Sequence, residues 1–365
     1  MTISEAHRNL AELAEGSMTV GDASGVLSDQ QIHDHIVESL ATIDFDGKSV
    51  ALVVPDATRS CPMGKLLPAV HEALSGRATK VECVIALGTH QAMSEEQIAK
   101  YLGFEPNKSE ETYPGWSIKN HEWWHEQETF ADLGVISAEE VTEYSGGRLK
   151  DVPMHVLVNK AVVENDVSLV VGPVLPHEVV GMSGGNKYFF PGLSGHDVID
   201  LSHWVGALIS SYEIIGTLGV TPVRSLINAA TDRIPGDKYF IGVVTEAGTP
   251  DLHSVSVGTT VSAWAAASTI SAESHITYLD KPYKRVLSLI PEMYEDIWTG
   301  AKGFYKMEPI VADGGEVILY APHITEVSEM HPGLGKIGYH NRDYYVKQWD
   351  KFKDHPWGEL AHSTH

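Results

Sequence analysis

Residues 175–204, LPHEVVGMSGGNKYFFPGLSGHDVIDLSHW, place His177, Lys187 and His203 among residues that are otherwise mostly glycine and apolar. Imidazole titrates close enough to neutrality to take a proton and return it, so a pair of histidines suits acid and base chemistry at one centre. An amine directly behind Gly184 and Gly185 can reach a ligand that backbone N–H groups approach closely. Lys and His are not buried in an ordinary core without a partner or ligand to offset their desolvation. The segment therefore reads as a site.

Elements that could position such groups are visible upstream. The β-branched runs SVALVVPD (49–56), VECVIALGTH (81–90) and VSLVVGPVLPH (167–177) predict buried parallel strands, separated by helical patterns such as 64–74 and the capping box at Ser94 to Gln97. Asp56, His90 and His177 fall just beyond the predicted strand ends, where open α/β sheets bind ligands. Asp56, Thr58 and Arg59 form the first of these loops. There the Asp and Arg can hold each other while the guanidinium offers a planar fork to a carboxylate or phosphate, or Asp56 can cap the 64–74 helix.

Beyond residue 240 the pattern changes. Residues 238–258 predict a hairpin turning at Gly248-Thr249-Pro250, followed by an alanine-rich helix at 264–270. A second α/β unit is predicted next, with strands at 284–291 and 315–324 around a helix at 293–306, and a last helix spanning 344–352. The fold class is thus α/β: two α/β domains with Rossmann-like, mainly parallel sheets and an active-site cleft between them. The division falls between 1–275 and 276–365.

Composition narrows the partners. With 43% apolar and 21% charged residues the chain has the make-up of a globular enzyme, and its 365 residues exceed one comfortable core. A formal charge of −23 argues against nucleic acid and anionic membrane surfaces. A carboxylate substrate must then be met by local cations, for which Arg59, Lys187 and Lys302 are the candidates. Two cysteines, Cys61 and Cys83, give no disulfide framework, and neither a leader pattern nor a membrane-length apolar run occurs, so a cytoplasmic location is expected. Several of the other histidines, such as those at 121–125 and 355–365, read as solvated or capping groups.

Three ordered blocks carry a resemblance to a known family. Pro176-His177, Ser183-Gly184-Gly185-Asn186-Lys187, Pro191-Gly192 and Ser202-His203 match one long pattern; Asp56-Ala57-Thr58-Arg59 matches a DxTR loop; and Gly88-Thr89-His90 matches a GTH turn. Together they resemble the nickel-pincer-nucleotide lactate racemases and related 2-hydroxy-acid racemases and epimerases. The resemblance implies inversion at C2 of a 2-hydroxy acid by proton-coupled hydride transfer, with His90 and His177 as the acid/base pair. It implies that Lys187 is joined covalently to the pyridinium-3-thioamide-5-thiocarboxylic acid mononucleotide, and that Ser183, Gly184, Gly185, Asp56, Thr58 and Arg59 hold this cofactor. His203 is then the single protein ligand to Ni(II), completing a square-planar set whose other donors belong to the pincer.

Substrate contacts implied by the resemblance are Arg59 and Lys302, with Trp298 and Thr299 shaping the pocket, and cofactor-biosynthesis proteins are the implied loading partners. The chain departs from the family at Asn186, where an Arg is usual, at Ser202, where an Asn is usual, and at Thr299, where a Gln is usual. Two other functions fit the residues alone: a hydrolase with His90, His177 and His203 as zinc ligands, and a carrier that holds the nucleotide and nickel without turnover.

Overall fold

A computed structural model describes residues 9–88 and 90–364; Thr89 of the GTH block, the first eight residues and His365 lie outside it. Seven strands form the main sheet: β1 (Met18–Gly21), β2 (Ser49–Pro55), β3 (Lys80–Ala86), β4 (Trp116–Asn120), β5 (Val167–Pro173), β6 (Asp237–Thr245) and β7 (Leu252–Thr259). Their order is β1-β7-β6-β5-β2-β3-β4. The run β6-β5-β2-β3-β4 is parallel, and β7 pairs antiparallel with both β6 and β1 at one edge.

Burial on both faces explains the unbroken apolar character of these strands. In β2, Ala51 and Val53 enter one core while Val50, Leu52 and Val54 enter the other. Helices Asp29–Ala41 and Met63–Leu74 cover the second face through Ile32, Ile36, Leu66 and Val70; helices His196–Ile209, Pro222–Thr231 and Ser262–His275 cover the first through Val205, Leu226 and Trp264. From β2 the chain moves outward through β3 and β4, and from β5 it moves the other way to β6. The crevice beyond the carboxyl ends of β2 and β5 is therefore the switch point of the sheet.

A second, two-stranded parallel sheet pairs β8 (Tyr283–Leu289) with β9 (Val311–Tyr320). The continuous 293–306 helix expected between them is instead two single turns, Ile297–Gly300 and Lys302–Tyr305. Glycine disfavours a helix interior, and close packing requires it where the first turn ends: a Cβ on Gly300 would lie 2.6 Å from Ile324 Cδ1.

The expected 344–352 helix is likewise split, into Arg342–Val346 and Trp349–Phe352. A further helix, Trp357–Ser363, returns to helix His196–Ile209, where the Gly358 N–H donates to Asp200 Oδ1 at 3.0 Å. Phe352, Leu360 and Ala361 join the core of the main sheet. No helix among the described residues is long and apolar enough to cross a membrane.

Candidate active site

A cavity of about 130 Å³ opens at the switch point. Asp56 and Arg59 reach it from beyond β2, Gly88 and His90 from beyond β3, and His177, Ser183, Gly184 and Lys187 from beyond β5. His203 reaches it from helix His196–Ile209, Trp298, Thr299 and Lys302 from the two turns of the second unit, and His362 from the returning tail. Of the residues singled out in the sequence, only Thr58 and Gly185 stand behind the lining.

Gly184 and Gly185 have left-handed backbones, at φ +84° and +58°. A Cβ on Gly184 would lie 2.6 Å from Val174 Cγ2, and one on Gly185 would lie 2.7 Å from Thr260 O. The glycines are thus required by packing against the protein itself as well as by any approach to a ligand. Ser183 closes the loop: its hydroxyl accepts from the Leu175 N–H at 2.9 Å and its own N–H donates to Leu175 O at 2.8 Å.

The two catalytic candidates are held in opposite senses. His90 Nδ1 lies 2.5 Å from Asp56 Oδ2. A carboxylate can only accept, so in the neutral ring Nδ1 carries the proton and Nε2 keeps its lone pair. Asp56 is fixed in turn by the Thr58 N–H at 2.9 Å and the Thr58 hydroxyl at 2.5 Å, both donating to Oδ1. Burial acts to raise the Asp56 carboxyl, but the bond to His90 and the charges of His90 and Arg59 outweigh it and hold the group at about 2. Neither alternative for Asp56 holds: it makes no ion pair with Arg59, and helix Met63–Leu74 begins after Pro62 with no side-chain cap.

At His177, by contrast, Nδ1 accepts from the Val179 N–H at 3.1 Å, which leaves the proton of a neutral ring on Nε2. Burial holds this imidazole well below its ordinary range, against the opposing pull of Glu178. Glu178 is buried, with Oε2 3.6 Å from His177 Nδ1 and Oε1 2.9 Å from Lys302 Nζ. Burial acts to raise the Glu178 carboxyl, yet the Lys302 ammonium bonded to it keeps it well below the usual carboxylate range. Lys302, expected to meet a substrate carboxylate, thus already has a carboxylate partner. Thr299 lines the cavity, but its hydroxyl donates to Asp296 Oδ1 at 2.7 Å.

Lys187 makes no hydrogen bond or ion pair through its amine among the described residues. Burial, then the charge of Arg59, lowers it to about 7, so a large share of the amine is neutral and nucleophilic at physiological pH. His203 Nδ1 donates to Ile199 O at 2.6 Å, which directs the Nε2 lone pair away from its own helix. Burial lowers this imidazole to about 4, keeping the ring in the neutral form that a metal requires. A nucleophilic amine and a pre-oriented imidazole on one cavity fit a lysine-tethered cofactor whose metal needs one protein donor. No set of three His, Cys, Asp or Glu side chains among the described residues converges as a metal site, which removes the support for His90, His177 and His203 as joint zinc ligands.

Several groups at the site were not picked out by the sequence. Glu178, which directly follows His177, is one of them. Arg224, buried in helix Pro222–Thr231, donates to Gly184 O at 3.2 Å and to Met182 O, and its guanidinium lies 4.0 Å from the Trp264 ring. Asn186 donates to Asn228 on the same helix at 3.0 Å, so that helix braces the glycine loop twice. His362, expected to be solvated, is buried and bonded to the Tyr305 and Tyr339 hydroxyls, each at 2.9 Å. His121, also expected at the surface, is fully buried.

Comparison with known proteins follows this geometry. Residues 29–216, just over half of the chain, match the lactate racemase N-terminal domain family. A lactate racemase from Thermoanaerobacterium thermosaccharolyticum is 25% identical over 186 residues, which are 50% of this chain and 39% of that protein. Among solved structures, a Thermotoga maritima protein is similar at a TM-score of 0.81 with 28% identity, over 93% of this chain and 82% of the other. The lactate racemase apoprotein of T. thermosaccharolyticum shares the fold at a TM-score of 0.69 and 18% identity, over 98% of this chain and 79% of the other.

Proposed function

Since the chain belongs to the lactate racemase N-terminal domain family, we propose that it is a racemase or epimerase inverting C2 of a 2-hydroxy acid, with a nickel-pincer nucleotide held by Lys187 and His203. The supporting observation is that Lys187, His203, His90 and His177 line one cavity at the switch point of the sheet. The proposed organisation is two units divided near residue 275, with the second unit contributing Trp298 and Lys302 to the cleft.

When bound, the nucleotide supplies a reversible two-electron acceptor for the hydrogen on C2. The protein's part is proton transfer, charge and exclusion of water. His90 Nε2 has the lone pair to take the hydroxyl proton of one enantiomer, and Asp56 stabilises the imidazolium that results. On the other side His177 gives its Nε2 proton from the imidazolium form, whose charge Glu178 offsets, and returns to the neutral ring; in the reverse direction the roles exchange. Arg59, with no ion-pair partner among the described residues, offers its fork to the substrate carboxylate. Lys302 joins it when the carboxylate competes with Glu178. Closure of the second unit over the cleft excludes water from the reacting centre.

Peptide mass mapping and nickel analysis of protein from a cofactor-competent host test this reading. A nucleotide adduct on Lys187, lost in Lys187→Ala with the fold retained, is the expected result. Nickel that falls in His203→Ala while the adduct stays completes it. Interconversion of a 2-hydroxy acid without an adduct on Lys187 overturns the cofactor assignment, and an adduct with nickel but no interconversion of any 2-hydroxy acid favours a carrier.

A further inference from the structure

A second cavity, of about 280 Å³, adjoins the first and shares Gly88, His203, Trp298 and Gly358 with it. Its wall is aromatic and apolar, built from Trp123, Phe130, Ile199, Trp298 and Met330. Trp298 stands at the junction, stacked on His331 at 3.6 Å and on His362 at 4.4 Å between ring centroids. Its charged groups are wrong for a phosphate: no Lys or Arg lines it, whereas Asp200 and Glu359 do. Burial raises both carboxyls and lowers His331 to about 4, so the chamber disfavours charge of either sign. The cations that would suit an anionic group, Arg59, Lys187 and Lys302, all line the first cavity instead.

Resting on the reading above, we infer that this second chamber receives the C2 substituent of the substrate, and that the substrate class is 2-hydroxy acids bearing an aromatic ring. Size supports the assignment. An apolar cavity of about 150 Å³ accommodates benzene, so a chamber of about 280 Å³ would leave the methyl group of lactate with few contacts. The rings of Trp123, Phe130 and Trp298 in the wall suit an aryl group, which pairs favourably with other rings at offset or T-shaped geometry. The substrate carboxylate and hydroxyl would stay in the first cavity with Arg59 and the two histidines, and the ring would pass Trp298 into the second.

The test uses nickel-bearing protein with the adduct on Lys187, offered 3-phenyllactate and lactate. The expected kcat/KM for 3-phenyllactate exceeds that for lactate by at least about tenfold, in the range that apolar pocket contacts supply. Met330→Trp, at a residue 41% exposed and so tolerant of exchange, narrows the chamber and should lower turnover of 3-phenyllactate far more than that of lactate. Equal or better turnover of lactate by the unaltered protein overturns the inference and leaves the racemase reading standing. Failure to interconvert either acid overturns the racemase reading for these compounds, and calorimetry on the same protein then decides the chamber: tighter binding of 3-phenyllactate than of lactate upholds it, and equal binding overturns it.

Discussion

The two histidines face one cavity but are supported in different ways. His90 is backed by Asp56, which the same loop holds through Thr58, and every member of this chain hangs on β2 and β3 of the main sheet. His177 is backed by a backbone N–H and by Glu178, whose other oxygen is tied to Lys302 on the second unit. One candidate proton-transfer group is therefore held within the main-sheet unit alone, whereas the other is coupled to the position of the segment that carries Lys302. The ring protons differ as well: His90 presents a lone pair at Nε2 and His177 presents a proton. Hydrogen bonding at the remote nitrogen sets each of these neutral forms, and either ring acts as the acid only once it carries a second proton.

The largest expected effect breaks the self-contained side. His90→Ala should lower interconversion of a confirmed substrate by roughly a hundredfold to ten-thousandfold, the usual span for removal of a general acid or base. Asp56→Asn should fall in the same range with the cofactor still loaded, because an amide can donate to Nδ1 and so reverse the ring tautomer. Steady-state rates of the two single variants and the double variant check this. A double variant no worse than His90→Ala shows one unit acting together, and near-wild-type Asp56→Asn removes Asp56 from it.

That side was also the more legible in sequence, for a physical reason. Continuous runs such as SVALVVP are what a strand buried on both faces demands, so the strand ends, and with them Asp56, His90 and His177, follow directly from the pattern. The Asp56 contact itself was misassigned, because spacing favours a neighbour at three residues and is blind to a partner 34 residues away. The His177 side was legible only in part. Its link from Glu178 to Lys302 spans 124 residues and two sheets, and no periodicity encodes such a pair. Arg224 was invisible for the same reason. His362 was misjudged because a polar tail looks solvated until it is seen to fold back beneath Trp298.

A smaller effect is expected on the bridged side. Lys302→Ala leaves the buried Glu178 carboxylate with its charge uncompensated. Breaking a fully buried pair costs about 3–5 kcal/mol; the Lys302 side chain keeps 21% of its exposure, so about 2–3 kcal/mol is the reasonable expectation after screening. Denaturant unfolding of the unloaded protein measures it, and Glu178→Gln should cost less because the Lys302 ammonium it leaves unpaired is the more exposed partner and stays partly hydrated. Loss of less than about 0.5 kcal/mol in Lys302→Ala would place the pair among ordinary surface contacts and dissolve the contrast drawn between the two histidines.

The smallest effect separates the two carboxylates by their reach toward Lys187. Burial and Arg59 lower this amine to about 7, and Glu178 is the group that opposes them, whereas Asp56, bonded to His90, is not among the largest charges that act on it. The neutral amine is the reactive form, so labelling of Lys187 by an acylating reagent in unloaded protein should be slow below about pH 7, rise through it and level off above, far below the alkaline range of an ordinary lysine. Removing the negative charge in Glu178→Gln leaves the amine facing Arg59 and Lys302 with less compensation. The protonated form is then disfavoured further, and the midpoint of the labelling curve moves to lower pH. Asp56→Asn should move that midpoint less, even though it lowers turnover far more. Quantitative peptide mapping across pH for the three proteins reads both responses. Equal shifts in the two variants would mean that the carboxylates act on the cavity as one field, and that the division between a self-contained and a bridged histidine has no electrostatic counterpart at the attachment lysine.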